Sequence, residues 1–137
     1  MYVAESIEIN ASVTNVWNHL KTLQDAEKYL PVVTKSSVDG SGIGTTRTCD
    51  IDMGEQQFQI QETLVKLDES SNSLAISIDD APPPMKNMVI NFSIHEKNNS
   101  SEITVNTESE QTPENVQMIK GILGMICSGL KQFHENK

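Results

Sequence analysis

The chain has 137 residues, 36% of them hydrophobic, 4% aromatic and 21% charged, with a formal net charge of −9. That length suits one domain that buries its own core without help from a metal or a disulfide. The acidity excludes a basic nucleic-acid surface and disfavours an anionic membrane, and no apolar run approaches the length of a membrane span.

The opening "YVAESIEIN" reads as a strand with Ile7 and Ile9 on one face. "ASVTNVWNHL" follows as a short helix. Ser12 is its candidate cap, and Val13, Val16, Trp17 and Leu20 recur at helical spacing. "LQDAEKYL" predicts a second short helix with Asp25 as cap and Pro31 as its stop. From residue 33 the period changes to two. "VVTKSSVDG" is a strand, and "TRTCDIDM" another, with Arg47, Cys49, Ile51 and Met53 on one face. A turn at Asp52–Glu55 leads into "QQFQIQETLVKLD", where Phe58, Ile60, Glu62 and Leu64 share a face. "NSLAISIDD" aligns Leu74, Ile76 and Ile78. "APPPMKN" is a loop, because proline cannot donate to a ladder. "MVINFSIHE" aligns Met88, Ile90, Phe92 and Ile94. After the turn "KNNSS", "EITVNTESE" aligns Ile103 and Val105, continuing to Thr107 and Ser109.

The end has a different period. "TPENVQMIKGILGMICSGLKQFHENK" predicts a long helix, with Thr112 at the cap and Pro113 in the first turn. Val116, Ile119, Leu123, Ile126 or Cys127, and Leu130 form its core stripe, which Met118, Ile122, Met125 and Phe133 widen. A run of hairpins must bury one face, and only this helix is long enough to cover it. The expected fold is therefore α+β, a curved antiparallel sheet wrapped around the terminal helix, in a single domain over residues 1–137. Such an arrangement leaves a concave apolar space suited to a ligand.

The stretch "DGSGIGTTR" has the look of a phosphate cradle. A dinucleotide fingerprint needs different glycine spacing and a following helix, and a P-loop needs Gly-Lys-Ser/Thr. Here Gly40, Gly42 and Gly44 precede strand chemistry, so they read as a hairpin loop that needs positive φ. The run ends on the chain's only arginine. A turn centred on Gly54 and Glu55 sets Arg47 opposite Glu62, both on the apolar face. An unpaired charge there would be very costly, so the two are expected to pair. Two readings stay open: an ion pair that holds sheet register, or the polar end of a cavity that orients a ligand carbonyl or hydroxyl.

Other candidates are weaker. His19 is expected near the surface of the first helix, His95 faces outward, and His134 suits a helix C-terminus. None has a nucleophile at motif spacing. Cys49 and Cys127 lack zinc-ligand spacing, and neither a metal nor a cofactor is expected. The start "MYVAESIEIN" has no basic segment or apolar signal core, which predicts a cytoplasmic protein with both thiols reduced. In the long helix, Gly121, Gly124 and Gly129 predict either close approach to the sheet, room for ligand entry, or a loosely specified core. The proline and glycine loops are expected to flank the cavity mouth. Trp17 and Tyr29 are expected to pack in the core.

The order of elements resembles the helix-grip fold of the START and birch-pollen-allergen superfamily, also called SRPBCC. "IEINASVTNVWNHL", "DAEKYLP", "GSGIGTTR" and "QIQETLVKLDE" carry the resemblance, which spans the chain. The proline loop and long terminal helix are similar to the branch labelled polyketide cyclase/dehydrase. Ser12 stands where many members have proline, and a late-strand tryptophan is absent near Val105 and Asn106. The resemblance implies binding of a lipid-like or polyketide-like molecule between sheet and helix. Its alternatives are a cyclase or aromatase, in which Arg47 would steer an enol or carbonyl, and a chaperone-like accessory protein that uses a protein partner. The cavity candidates are Arg47, Cys49, Ile51, Phe58, Ile60, Glu62, Ile76, Met88, Ile90, Phe92, Met118, Ile122 and Met125.

Overall fold

A computed structural model describes residues 2–108 and 112–136. Strand β1 (Tyr2–Ile9) leads into helices α1 (Val13–Leu20) and α2 (Ala26–Tyr29). Strands β2 (Val33–Asp39), β3 (Thr46–Asp52), β4 (Gln57–Asp68), β5 (Ser73–Asp80), β6 (Val89–Lys97) and β7 (Ser100–Glu108) follow, and helix α3 (Pro113–Glu135) ends the chain. All pairings are antiparallel, in the order β1-β7-β6-β5-β4-β3-β2. The strands β2 to β7 are thus successive hairpins, while β1 and β2 occupy opposite edges. The α1–α2 segment carries the chain from one edge to the other. This is the helix-grip fold.

Turn chemistry explains the hairpins. Gly40, Gly42, Gly44 and Gly54 all have positive φ, which is why the tight paths before β3 and after it use glycine. Asn98 and Asn99, also at positive φ, make the two-residue turn between β6 and β7. Register shifts bend the sheet: one between β2 and β3 at Val33/Lys35, and two between β4 and β5, at Gln61/Glu62, where Asp79 of β5 is the extra residue, and at Leu64/Lys66, where Val65 of β4 is. The shift at Leu64/Lys66 turns Val65 and Lys66 both outward and resets the inward face to Leu67.

Helix starts follow their caps. The Ser12 hydroxyl accepts from the Asn15 amide at 3.1 Å, and the Thr112 hydroxyl from the Asn115 amide at 3.4 Å. Asp25 differs from expectation. It precedes α2 in the left-handed region, at φ 68°, and its side chain caps nothing. Its carboxylate instead faces His19 and Lys28, each at 3.6 Å. His19 also departs from its predicted surface position: it is stacked on Phe133 and lies edge-on to Tyr29 and His134, joining α1, α2 and α3. Trp17 is buried, and its indole N–H donates to Glu69 at 2.6 Å. Ser109 lies outside the described residues.

Helix α3 packs chiefly on β1, with lighter contact to β7 and α2. Ile119, Leu123, Ile126, Cys127, Leu130 and His134 are its buried residues. Val116 is only partly buried, because it lies in the first turn beyond the thick part of the core. The helix therefore leans toward one side of the curved sheet, and space opens on the other side. Among the described residues no helix is long and apolar enough to cross a membrane.

Candidate functional site

The space between α3 and strands β3 to β6 is a cavity of about 160 Å³. Inward-facing positions at period two supply most of its wall: Arg47, Cys49 and Ile51 from β3, Phe58, Ile60 and Glu62 from β4, Ile76 and Ile78 from β5, and Ile90 and Phe92 from β6. Helix α3 adds Met118, Ile122, Met125 and Ile126, and the end of α2 with the following turn adds Tyr29, Leu30, Val32 and Val33. Met53 and Met85 complete the lining. Met88 is not part of it. That residue shares the inward, buried face of Ile90, Phe92 and Ile94, but it lies in the core just beyond the cavity wall; its amide bonds the Met85 carbonyl and its carbonyl accepts from Ile78. Met85, in the proline loop, reaches the cavity in its place.

The two ends of the cavity differ. At one end Arg47 and Glu62 lie directly opposite each other on β3 and β4, 5% and 9% exposed. The Arg47 Nε donates to Glu62 Oε1 at 2.8 Å. Its Nη1 donates to the Tyr29 hydroxyl at 2.9 Å and to the Leu23 carbonyl at 3.3 Å. Cys49 Sγ lies 3.8 Å from the same Glu62 oxygen. Burial alone works against the Arg47 charge, but the Glu62 carboxylate and then Tyr29 outweigh it and hold the guanidinium above its ordinary value. Burial pushes the Tyr29 phenol up, only partly opposed by Arg47. Burial also pushes the Cys49 thiol up to about 11. The end thus holds one cation and one anion, with phenol and thiol both neutral.

The other end is open and soft. Met53, just past β3, is 59% exposed, and Met118, in the first half of α3, is 42% exposed. Met85 sits half-buried in the proline loop, which lies beside the first turn of α3 at Asn115. The glycine loop is absent from this rim. Its Gly44 amide and Thr45 carbonyl bond Leu64 at the Arg47 end, because β3 runs away from that loop toward the mouth.

Tyr29 is a site residue that sequence patterning assigns to packing. A lone aromatic at the end of a four-residue helix carries no signal for its hydroxyl partner. Gly129 explains its placement. A Cβ at this position would lie 1.7 Å from the Tyr29 carbonyl oxygen, so α3 touches α2 here, not the sheet as expected. Gly121 and Gly124 face open space. Cys127 is buried away from the cavity lining, its thiol also held at about 11 by burial. Both cysteines are free.

A family model described as "Polyketide cyclase / dehydrase and lipid transport" matches residues 2–135. Among solved structures, a protein from Nitrosospira multiformis is similar at 17% identity, covering 99% of this chain and 98% of that one, with a TM-score of 0.79. Ara h 8.0201 is similar at 13% identity, covering 100% and 99%, also with a TM-score of 0.79. The Aha1 dimer from Colwellia psychrerythraea is similar at 15% identity, covering 98% and 96%, with a TM-score of 0.71. At these identities the structural likeness establishes the fold.

Proposed function

Since the chain belongs to the polyketide cyclase/dehydrase and lipid transport family, we propose that it binds a hydrophobic small molecule, lipid-like or aromatic, between its sheet and α3. The observation that carries this reading is an apolar cavity of about 160 Å³ with one polar end, built from Arg47, Glu62 and Tyr29. A ligand seated there would take this apolar wall out of contact with water, which is favourable. A ligand that fills it therefore stabilises the fold. The methionines on the wall suit this role, because thioether side chains adapt to varied shapes.

Acid–base catalysis has less support. Burial raises the pKa of Tyr29 and of Cys49 further above pH 7, so both stay protonated, and no histidine is among the lining residues. An accessory protein without a ligand would be expected to have a collapsed cavity, which argues against that alternative. Native mass spectrometry of gently purified protein tests the proposal. A retained apolar molecule is expected, released by unfolding and lost when Ile122→Trp fills the cavity. If nothing co-purifies and no apolar compound raises the melting temperature, the reading fails.

A further inference from the structure

The polar end of the cavity is assembled in a way that selects among ligands. Arg47 and Glu62 could engage through two parallel bonds, the usual fork of guanidinium and carboxylate. Only one forms, between Nε and Oε1. The two hydrogens of Nη1 go to Tyr29 and Leu23, and Oε1 takes Cys49 as well. Both side chains line the cavity and are at least nine-tenths buried, yet no hydrogen bond within the described residues uses Nη2 of Arg47 or Oε2 of Glu62, and neither atom is among the fully sealed polar atoms that lack a partner. One donor and one acceptor on these two lining residues are therefore left for a ligand.

We propose that this cavity selects an uncharged molecule bearing a hydroxyl on a body of about one ring, and rejects the matching carboxylate. The inference rests on the ligand-binding reading above. A hydroxyl satisfies both free positions with a single atom, since its oxygen accepts from Arg47 and its proton goes to Glu62. A carbonyl serves only the arginine. A carboxylate is worse, because Glu62 already balances the Arg47 charge and a second anion would enter the apolar cavity uncompensated. Size follows from volume. The cavity measures about 160 Å³, and an apolar cavity of about 150 Å³ takes benzene. A longer ligand would have to extend past Met53, Met85 and Met118.

Calorimetric titration with toluene, p-cresol and p-toluate at pH 7 tests this with one apolar body and three end groups. We expect p-cresol to bind roughly tenfold or more tightly than toluene, as charge-assisted hydrogen bonds allow, and p-toluate not to bind. Glu62→Gln should reverse the ranking of p-cresol and p-toluate, because Arg47 then lacks an anionic partner and a ligand carboxylate can balance its charge. If toluene binds as well as p-cresol, or p-toluate matches p-cresol in the native protein, selection by hydroxyl is wrong while the cavity still binds ligands. If none of the three binds, the ligand-binding reading itself falls. Should Glu62→Gln fail to fold, judged by circular dichroism, the ranking in the native protein still decides.

Discussion

The two ends of the cavity are built on opposite physical terms. At the Arg47 end several contacts converge: a buried ion pair, a phenol, a backbone carbonyl and a helix contact too close for a side chain. At the methionine end, Met53, Met85 and Met118 come from a turn, a loop and a helix, and two of them are largely exposed. Burial makes the first end intolerant, because an unpaired charge or a lost contact cannot be repaired by water. Exposure and thioether flexibility make the second forgiving. The contrast suits a pocket that orients a ligand at its depth and admits it at its rim.

Removing one charge from the fixed end should break it most severely. Arg47→Ala is expected to cost about 3–5 kcal/mol in urea unfolding, since Glu62 stays buried and alone. The double variant Arg47→Ala, Glu62→Ala should recover part of that loss, and strictly additive losses would show that the pair is not coupled. Replacing both by well-packed apolar residues, Arg47→Met with Glu62→Leu, should cost little stability. Gly129→Ala comes next. The collision with the Tyr29 backbone should outweigh the gain of about 1 kcal/mol in helix propensity and give a net loss of about 1–3 kcal/mol. Gly121→Ala and Gly124→Ala, facing open space, should instead stabilise by up to about 1 kcal/mol. If all three glycine variants behave alike in thermal denaturation, the close approach of α3 to α2 is not a constraint.

Tyr29→Phe removes only the hydroxyl that accepts from Arg47, with an expected loss of about 1.5–3 kcal/mol by chemical denaturation. An unchanged midpoint would show that the phenol is not part of the fixed end. The thiols give a chemical contrast. With Cys49 and Cys127 both held at about 11, little thiolate exists at pH 8, and iodoacetamide should label neither until the protein unfolds. Rapid labelling of Cys49 in the folded protein would mean that solvent reaches the polar end. The smallest effect is expected at the rim. Met53→Ala should change stability by less than about 0.5 kcal/mol, as exposed substitutions do, while still altering ligand affinity. A large loss of stability there would erase the difference between the two ends.

Most of the architecture was legible in the chain. The switch from helical spacing to period two after residue 33, the glycine and asparagine turns, and the Ser12 and Thr112 caps are local signals that act over a few residues. The Arg47–Glu62 pairing was legible for the same reason: once Gly54 and Glu55 centre a hairpin turn, register follows by counting. Counting gives the face of a residue but not how far along that face a cavity extends. Met88 faces inward as its parity predicts, but the cavity stops short of it and Met85 lines that part of the wall. Counting fails where the chain leaves the sheet, as with Asp25 and His19.

What the amino-acid sequence determined by itself is thus the fold, the inward face of each strand and the ion pair, since each depends on neighbours along the chain or across one hairpin. Only the tertiary structure decided that Tyr29 completes the polar end, that Gly129 seats α3 against α2, and that the glycine loop lies far from the mouth. These depend on contacts between segments up to 100 residues apart in the chain, such as Tyr29 and Gly129. No local propensity encodes such a contact; it is set by how the curved sheet and the leaning helix close around the space between them.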